Sequence, residues 1–550
     1  MAPHGPSRAR LGTGWRHAGA LSLLALVGAV YGGSLAHDFA FDDWQLVIDN
    51  EVVTWPLSRA LDLFDPSSPG ISYRPVRMFS YMVDHAIGRG LDPWVFHATN
   101  LAYHAAAVLV LYALAWQTIG SGTAAWFTAA LFAVHPLGSE AVAYVAGRRD
   151  VLAGLFSLLA LLSWWSFCGR AGHGAVRVAA LVGSLVAAVL ALGSKENAVV
   201  LPALALLLFV VRARRRSPSS PVAWGTWAAL LASAVALGVV VDLVYGQRVG
   251  EAVARLRSGP LAPQPALSLR VLGQYGWLSV WPLHLYADYR PPSWPLPTTA
   301  LDPPAILSGV VLGSMLMLGG LLVWRGRIAG AGLLWFPLAL LPVAQIVPYR
   351  EVVAEHNAYL PLAGLALVAG EAVALLGRRW PRGVLALGLV VVGLLAARAH
   401  ARAAVWADDE TLWSATLEER PESVRAKLNL AVTRARSGRL EDARLLLERA
   451  RRQVPANLDV LFTLASVYGR LGDYHAAIVA AERAVEVEPG ARTLTFLAWA
   501  NVAAGSEAAA RQAFQRALGY DPRNRDARRG LAELRERDRQ RRHLRYGRSR

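Results

Sequence analysis

Apolar stretches of about 20 residues recur along the chain as far as residue 399 and then stop. That is the length one helix needs to cross a hydrocarbon layer about 30 Å thick at about 1.5 Å of rise per residue. Of the 550 residues, 55% are hydrophobic and 17% charged, more apolar surface than a soluble core of this size uses. Lipid-facing surface is the simplest sink for the excess. The expected spans are 17–36, 96–118, 123–139, 150–168, 178–194, 197–212, 223–243, 303–324, 329–348, 357–377 and 383–399. The amphipathic stretch 267–286 reads either as an additional span or as an interfacial helix.

Orientation follows from the arginines, because short loops rich in Lys or Arg stay on the cytoplasmic side. Arg8, Arg10 and Arg16 precede the first span, which puts residues 1–16 inside. Alternate loops then carry Arg170 and Arg177; Arg212, Arg214, Arg215 and Arg216; Arg325 and Arg327; and Arg378, Arg379 and Arg382. Charge and parity agree at all these loops. The chain beyond residue 400 is then outside, with the long loops 37–95 and 244–302. The first span reads as a retained helix, since no small-residue cleavage site precedes the polar loop. The lone cysteine, Cys168, excludes an internal disulfide. Ala, Arg and Gly usage without a eukaryotic targeting signal fits a bacterial inner membrane.

A second periodicity begins after the last span. Pro421, Pro455 and Pro489 are 34 residues apart and Pro522 follows 33 later, the tetratricopeptide period. In phase with them fall Leu430, Ala431, Gly438, Ala443, Leu447 and Ala450, then Leu464, Ala465, Tyr468, Gly472, Ala477 and Ala484, then Leu497, Ala498, Gly505, Ala510, Phe514 and Ala517. Small residues recur where antiparallel helices approach closely, and each glycine is placed to end the first helix of its pair. Three repeats are expected over 420–522, with a polar capping helix at 524–541 inside a basic tail, 523–550. Formal charge is +17, and twelve arginines against four acids in that tail supply +8 of it. A solvated extension touching lipid headgroups accounts for the tail more simply than nucleic-acid binding does. Asn429, Phe462, Thr463, Thr495, Phe496 and Trp499 are expected to line the concave face of the repeats and take an extended acceptor polypeptide. Packing between repeats accounts for the aromatics equally well.

Charge inside lipid costs roughly 2.5–3.5 kcal/mol per residue, so polar clusters at span ends call for an account. The acids gather on the side read as outer: Asp38, Asp42, Asp43, Asp49 and Glu51 in the first long loop, Glu140 and Asp150 around the next turn, then Glu196, then Glu351 and Glu355. Arg74, Arg77, Arg148, Arg149, Lys195 and Arg350 join them against the positive-inside trend. A carboxylate pair beside scattered cations is what group transfer from a phosphorylated donor requires: one carboxylate takes the acceptor's proton, and Arg or Lys neutralises the departing phosphate. Interfacial salt bridges or snorkelling side chains give the same charge pattern. No GxxxxGK loop is present, which argues against a nucleotide-driven reaction, and the glycines of RGRIAGAG read as small residues for helix packing. His97 and His135 read as helix-end hydrogen bonders rather than metal ligands.

At these charged residues the chain resembles a family. FAFDDWQLVIDN, SYRPVRMFSYMVDHAIGRGLDPWVFHATNLAYH, LFAVHPLGSEAVAYVAGRRDVLAGLF, SKEN and AEHNAYLP, in that order, resemble segments of the transmembrane and tetratricopeptide repeat-containing O-mannosyltransferases and their bacterial relatives, which are GT-C glycosyltransferases. The likeness runs from about residue 20 to the end of the repeats. It implies an all-α enzyme, with a multi-spanning GT-C-like membrane domain over 17–400 followed by a tetratricopeptide-repeat solenoid. It further implies transfer of a mannose-like hexose, with inversion, from a polyprenyl-phosphate donor to acceptor-protein hydroxyls at the outer face.

Asp42 and Asp43 match the family's acidic pair, one the general base and the other positioning acceptor or base. Arg148 and Arg149 fall in the family's HPLGSEAVAYVAGRRD segment and Lys195 in SKEN, which makes them expected donor-phosphate contacts. The family's arginine after the glutamate in the stretch ending YLP is replaced by His356, with Arg350 as the expected substitute. Arg74, Glu140, Asp150, Glu196, Glu355 and His356 complete the expected substrate site. No metal or other cofactor is expected, because a monophosphate donor leaves a charge that protein cations can neutralise. A lipid or envelope glycan is the nearest alternative acceptor. A membrane scaffold without chemistry is the reading from another class.

Overall fold

A computed structural model describes residues 13–65, 73–169, 174–215, 264–346 and 351–547, with Gly238 alone between the third and fourth of these stretches. The chain divides into two compact units, Met1–Asp408 and Asp409–Arg550. Among the described residues all regular structure is helical.

The first unit contains α1 (Thr13–Tyr31), α2 (Pro75–Gly88), α3 (Pro93–Ile119), α4 (Gly122–Val134), α5 (Ser139–Ala143), α6 (Arg148–Gly169), α7 (Gly174–Ser194), α8 (Leu201–Arg214), α9 (Gln264–Val280), α10 (Pro303–Trp324), α11 (Ile328–Leu340), α12 (Tyr359–Leu376) and α13 (Pro381–Ala404). Eight segments among the described residues are long and apolar enough to cross a membrane: His17–Ala36, Pro93–Ile119, Val145–Gly169, Gly174–Ser194, Glu196–Arg214, Pro303–Trp324, Glu355–Leu376 and Pro381–Ala404. Two expected spans are shorter than read. The 123–139 helix stops at Val134 because His135 precedes a proline and is extended, and the 329–348 helix tightens to a 3-10 turn, Leu341–Val343, that contains Pro342. The expected span 223–243 lies outside the described residues, apart from Gly238.

Burial sorts the helices. Val145–Gly169 is 72% buried over its apolar window, whereas Pro303–Trp324 and Pro381–Ala404 are 11% buried and present Leu307, Met317, Leu387 and Leu394 outward, as lipid-facing helices do. The glycines of RGRIAGAG let backbones touch: a Cβ on Gly364 of α12 would lie 2.8 Å from the Gly332 carbonyl of α11, and one on Gly330 would lie 2.7 Å from the Gly319 carbonyl of α10. Helix α9, 17 residues long, is not among the eight segments long and apolar enough to cross a membrane. Along its whole length its polar partners belong to one end of the bundle: Gln264 reaches the Gln345 carbonyl, Arg270 lies 3.6 Å from Asp302, the Tyr275 hydroxyl bonds Ala354, and the Ser279 carbonyl meets His135.

That end also gathers the loop after α1, the turns around α5, the one-residue joint Lys195, the turn Glu355–Ala358 and the chain after α13. At the opposite end Arg327 pairs with the buried Glu371 at 3.0 Å, and Arg215 donates to the Gly326 carbonyl at 2.6 Å.

In the second unit α14 (Asp409–Glu419) is followed by three helix pairs, α15 (Val424–Arg436) with α16 (Leu440–Gln453), α17 (Leu458–Leu471) with α18 (Tyr474–Val487), and α19 (Ala491–Ala503) with α20 (Glu507–Tyr520). Gly438, Gly472 and Gly505 follow the first helix of each pair with φ of 84°, 83° and 75°, the left-handed conformation in which a side chain would be strained. The final helix α21 (Arg525–Gly547) lays Ala527, Leu531 and Leu534 against Phe514 and closes the stack. The helical order begins before 420, since α14 buries Leu412 and Trp413.

One expected concave-face residue is corrected: Thr495 is buried and spends its hydroxyl on the Ala491 carbonyl. Trp499 is half-buried and packs edge-on against Phe514 at 5.3 Å. Phe462 and Phe496 remain half-buried and in contact at 4.6 Å, with the Arg492 guanidinium 4.8 Å from the Phe462 ring. Asn429 and Thr463 are also half-buried, and Thr463 donates to the Asp459 carbonyl.

Candidate active site

Phe41 has φ of 54°, an uncommon left-handed backbone for a bulky residue, and the two carboxylates follow it. Asp43 is 1% exposed. Its Oδ2 accepts the Ala40 N–H at 3.1 Å and its Oδ1 the Ala146 N–H at 2.7 Å, so this side chain fastens the loop to the turn before α6. Asp42 is half-buried, and its main-chain N–H donates to the Tyr144 hydroxyl at 3.0 Å. The Tyr144 ring stacks with Phe41 (6.0 Å) and more closely with Trp406 (4.8 Å, 26° between planes). Burial, then the Asp42 and Asp43 charges, push the Tyr144 phenol well above its ordinary range, so it stays neutral.

Arg148 and Arg149 open α6 side by side, about 100° apart around its axis. Arg148 points into the protein and is 0% exposed. Its Nε donates to Asn100 at 2.5 Å, Nη1 to Ser80 and Asp84, and Nη2 to the Phe96 carbonyl at 2.6 Å and Thr99 at 2.8 Å. The expected donor-phosphate role of Arg148 is therefore corrected: a sealed guanidinium with every nitrogen engaged is a core tie. Arg149 points the other way, with 14% of its side chain exposed. Its Nη2 donates to His356 Nε2 at 3.1 Å, and its Nε lies 3.4 Å from Asp150 Oδ2.

Around Arg149 the remaining charges pair off. Lys195 donates to Asp150 at 2.6 Å and to Asn357 at 2.7 Å, and burial, partly offset by Asp150, pushes its amine down to about 8. Arg74 grips Glu196 through two bonds, 2.6 and 3.0 Å. Glu140 accepts the His356 N–H at 2.9 Å and meets His356 Nδ1 at 2.7 Å. Because Arg149 donates to Nε2, the ring proton sits on Nδ1 and His356 is the neutral bridge between Glu140 and Arg149. Burial raises the Glu140 carboxyl, with the His356 N–H and the Arg402 and Arg149 charges drawing it back. Arg149 also lies within electrostatic reach of Tyr144, Lys195 and Arg77, which makes it the hub of the cluster.

Glu355 is held by a partner that the charge pattern did not single out. Arg402, near the end of α13, donates to both its oxygens at 3.0–3.1 Å, and the Tyr289 hydroxyl adds a bond at 3.0 Å. Arg350, the expected substitute beside His356, lies outside the described residues. Nothing in the charge pattern or motifs of the sequence singles out Asp84, Arg402, Tyr144, Trp406 or Asn357. Arg398 and Arg402 sit one turn apart in the same alanine-rich run, and only the fold turns Arg402 inward. Among the described residues no three His, Cys, Asp or Glu gather as metal ligands would. An apolar cavity of about 450 Å³ lies between α9, α10 and α11, lined by Trp277, Trp294, Leu307, Val311, Met315 and Phe336 and reached by Arg270.

A tetratricopeptide repeat family model matches residues 394–457 and 462–522. Among curated proteins the chain is 35% identical over 155 residues to Protein O-mannosyl-transferase TMTC2 of Mus musculus, covering 27% of this chain and 18% of that protein. It is 38% identical over 170 residues to Protein O-mannosyl-transferase TMTC1 of Homo sapiens, covering 29% and 19%. A longer match, 24% identical over 441 residues, joins 77% of this chain to 61% of Protein O-mannosyl-transferase F38B6.6 of Caenorhabditis elegans. The matched stretch thus spans less than a fifth of the mouse and human proteins' length. The crystal structure of ArnT from Cupriavidus metallidurans bound to undecaprenyl phosphate overlays 92% of this chain and 80% of its own at 14% identity, with a TM-score of 0.41.

Proposed function

We propose that this chain, a relative of the TMTC protein O-mannosyl-transferases, is a membrane glycosyltransferase that moves a mannose-like hexose from a polyprenyl-phosphate donor to acceptor-protein hydroxyls, with Asp42 as general base. The observation that supports it best is the division of labour in the acidic pair. Asp43 spends both oxygens on main-chain N–H groups, while the half-buried Asp42 sits on the loop so fastened, beside the segment that carries Arg149. In the step, the acceptor oxygen bonds to the sugar's anomeric carbon from the face opposite the leaving group, and Asp42 takes the hydroxyl proton. The bond from that carbon to the phosphate oxygen breaks, and its electron pair leaves on polyprenyl phosphate. Arg149, the partly exposed cation of the cluster, stabilises the charge that develops there, and the buried Lys195 ammonium behind it adds its field. The apolar cavity beside α9 suits the polyprenyl chain, and the half-buried Phe462–Phe496 surface of the repeats suits an acceptor polypeptide. A bacterial inner membrane with the repeats in the periplasm completes the reading.

The test is transfer by purified protein from a polyprenyl-phosphate mannose to a peptide. Asp42→Asn keeps size and hydrogen bonding but removes basicity, so turnover falls about 100-fold or more with little change in donor KM. Asp43→Asn keeps one acceptor oxygen and lowers turnover less. Wild-type turnover in Asp42→Asn removes the catalytic assignment, and sugar found on lipid rather than protein favours the glycolipid acceptor.

A further inference from the structure

We infer that Trp406 is a positioning residue for Asp42, so that the segment between the last membrane helix and Asp408 belongs to the active site. The inference rests on the function proposed above. Two ties bind this segment to the acidic loop and its surroundings, and a third comes from the end of α13. The Ala407 carbonyl accepts the Asp38 N–H at 2.9 Å, the Trp406 ring stacks on Tyr144 at 4.8 Å, and Arg402, one turn earlier, clamps Glu355. Tyr144 in turn holds the Asp42 main chain through its hydroxyl. Trp406 is therefore the wall that fixes the ring whose oxygen fixes the base.

The indole is used for its shape. Trp406 is 1% exposed, yet its Nε1–H has no hydrogen-bond partner among the described residues. A buried donor left unpaired is a cost, tolerated here where a broad flat ring backs Tyr144. A phenyl ring in its place loses area but no hydrogen bond. Removing the ring lets Tyr144 withdraw, and a displacement of about 1 Å at a reacting group costs on the order of 100-fold in rate.

The experiment uses the full-length purified chain, polyprenyl-phosphate mannose and a soluble peptide acceptor, with kcat and donor KM measured separately. Trp406→Ala is expected to lower kcat by about 10- to 100-fold while donor KM stays within about twofold, since Arg149 and Lys195 are untouched. Trp406→Phe is expected to restore most of that loss. Tyr144→Phe keeps the stack and removes only the hydroxyl, and it should lower kcat as Trp406→Ala does. If Trp406→Ala fails to fold, Tyr144→Phe and Trp406→Phe still decide: a wild-type kcat in Tyr144→Phe, or a Trp406→Phe chain as impaired as Tyr144→Phe, overturns the inference. So does a wild-type kcat in Trp406→Ala. Asp42→Asn separates the two proposals. Activity in Asp42→Asn removes the proposed function, whereas an inactive Asp42→Asn beside active Trp406 and Tyr144 variants removes only the role of Trp406.

Discussion

Lys195 shows how one residue's surroundings set a pH dependence. It is the single residue between two candidate spans, buried between Asp150 and Asn357, and burial pushes its amine down from the ordinary lysine range to about 8. The ammonium is present below that pH and lost above it. Since the cation is what a donor phosphate attracts, donor KM is expected to rise as pH climbs through about 8. A guanidinium keeps its charge there, so Lys195→Arg should flatten the rise. A wild-type donor KM constant through that range, measured alongside the variant, rejects the assignment. The acids and cations of this cluster were visible in the sequence because charges at span ends are costly. Their pairing was not, because each finds its partner on a distant segment of the chain: Arg74 on Glu196, Lys195 on Asp150, Arg402 on Glu355.

At the scale of elements, Arg148 does what no turn or cap does. It joins the start of α6 to Asp84 of α2 and to Asn100, Thr99 and the Phe96 carbonyl of α3. Arg148→Ala leaves Asp84 buried without its counter-ion, a loss of roughly 3–5 kcal/mol for a broken buried pair. The expected outcome is a large drop in the thermal midpoint of the purified protein, partly recovered when Asp84→Asn removes the stranded charge. Arg149→Ala should leave the midpoint within a few degrees and raise donor KM instead. Equal effects of the two arginine variants on stability would reject this contrast. The helices themselves were legible from apolar runs of the right length. Their ends were less so, because the 123–139 and 329–348 runs remain apolar past the prolines that end the regular helix. Helix α9 also needed the fold, since an amphipathic run of that length suits an interfacial helix and a span alike.

At the scale of the whole molecule, the repeats form a unit with its own core, closed by α21 around Phe514. Deleting residues 409–550 spares every tie described for the acidic loop, all of which lie within Met1–Asp408. The shortened protein is expected to transfer sugar to a short free peptide at close to the full-length rate and to lose transfer to an intact acceptor protein. Equal retention of both activities would remove the acceptor role of the repeats. The eleven-span reading adds that reporters fused after Arg379 stay cytoplasmic and those after Asp65 and Gly490 lie outside. A cytoplasmic signal after Gly490 would separate the repeats from the proposed chemistry.

Read alone, the sequence determined that the chain is helical, that much of it suits a membrane, and that tetratricopeptide repeats follow. Each of these is a local periodic property: apolar length per span, a 34-residue period, a glycine where a helix must turn left-handed. It also located the acidic pair in FAFDDWQLVIDN. Only the tertiary structure decided that Asp43 anchors while Asp42 stays half-buried, that Arg148 is sealed while Arg149 faces the cluster, and that Trp406 backs Tyr144. Those outcomes depend on contacts between segments as much as 262 positions apart, such as Tyr144 with Trp406. Two adjacent residues of the same type carry the same local signal. What separates them is which side of the loop or helix meets protein, and that is settled when the segments pack.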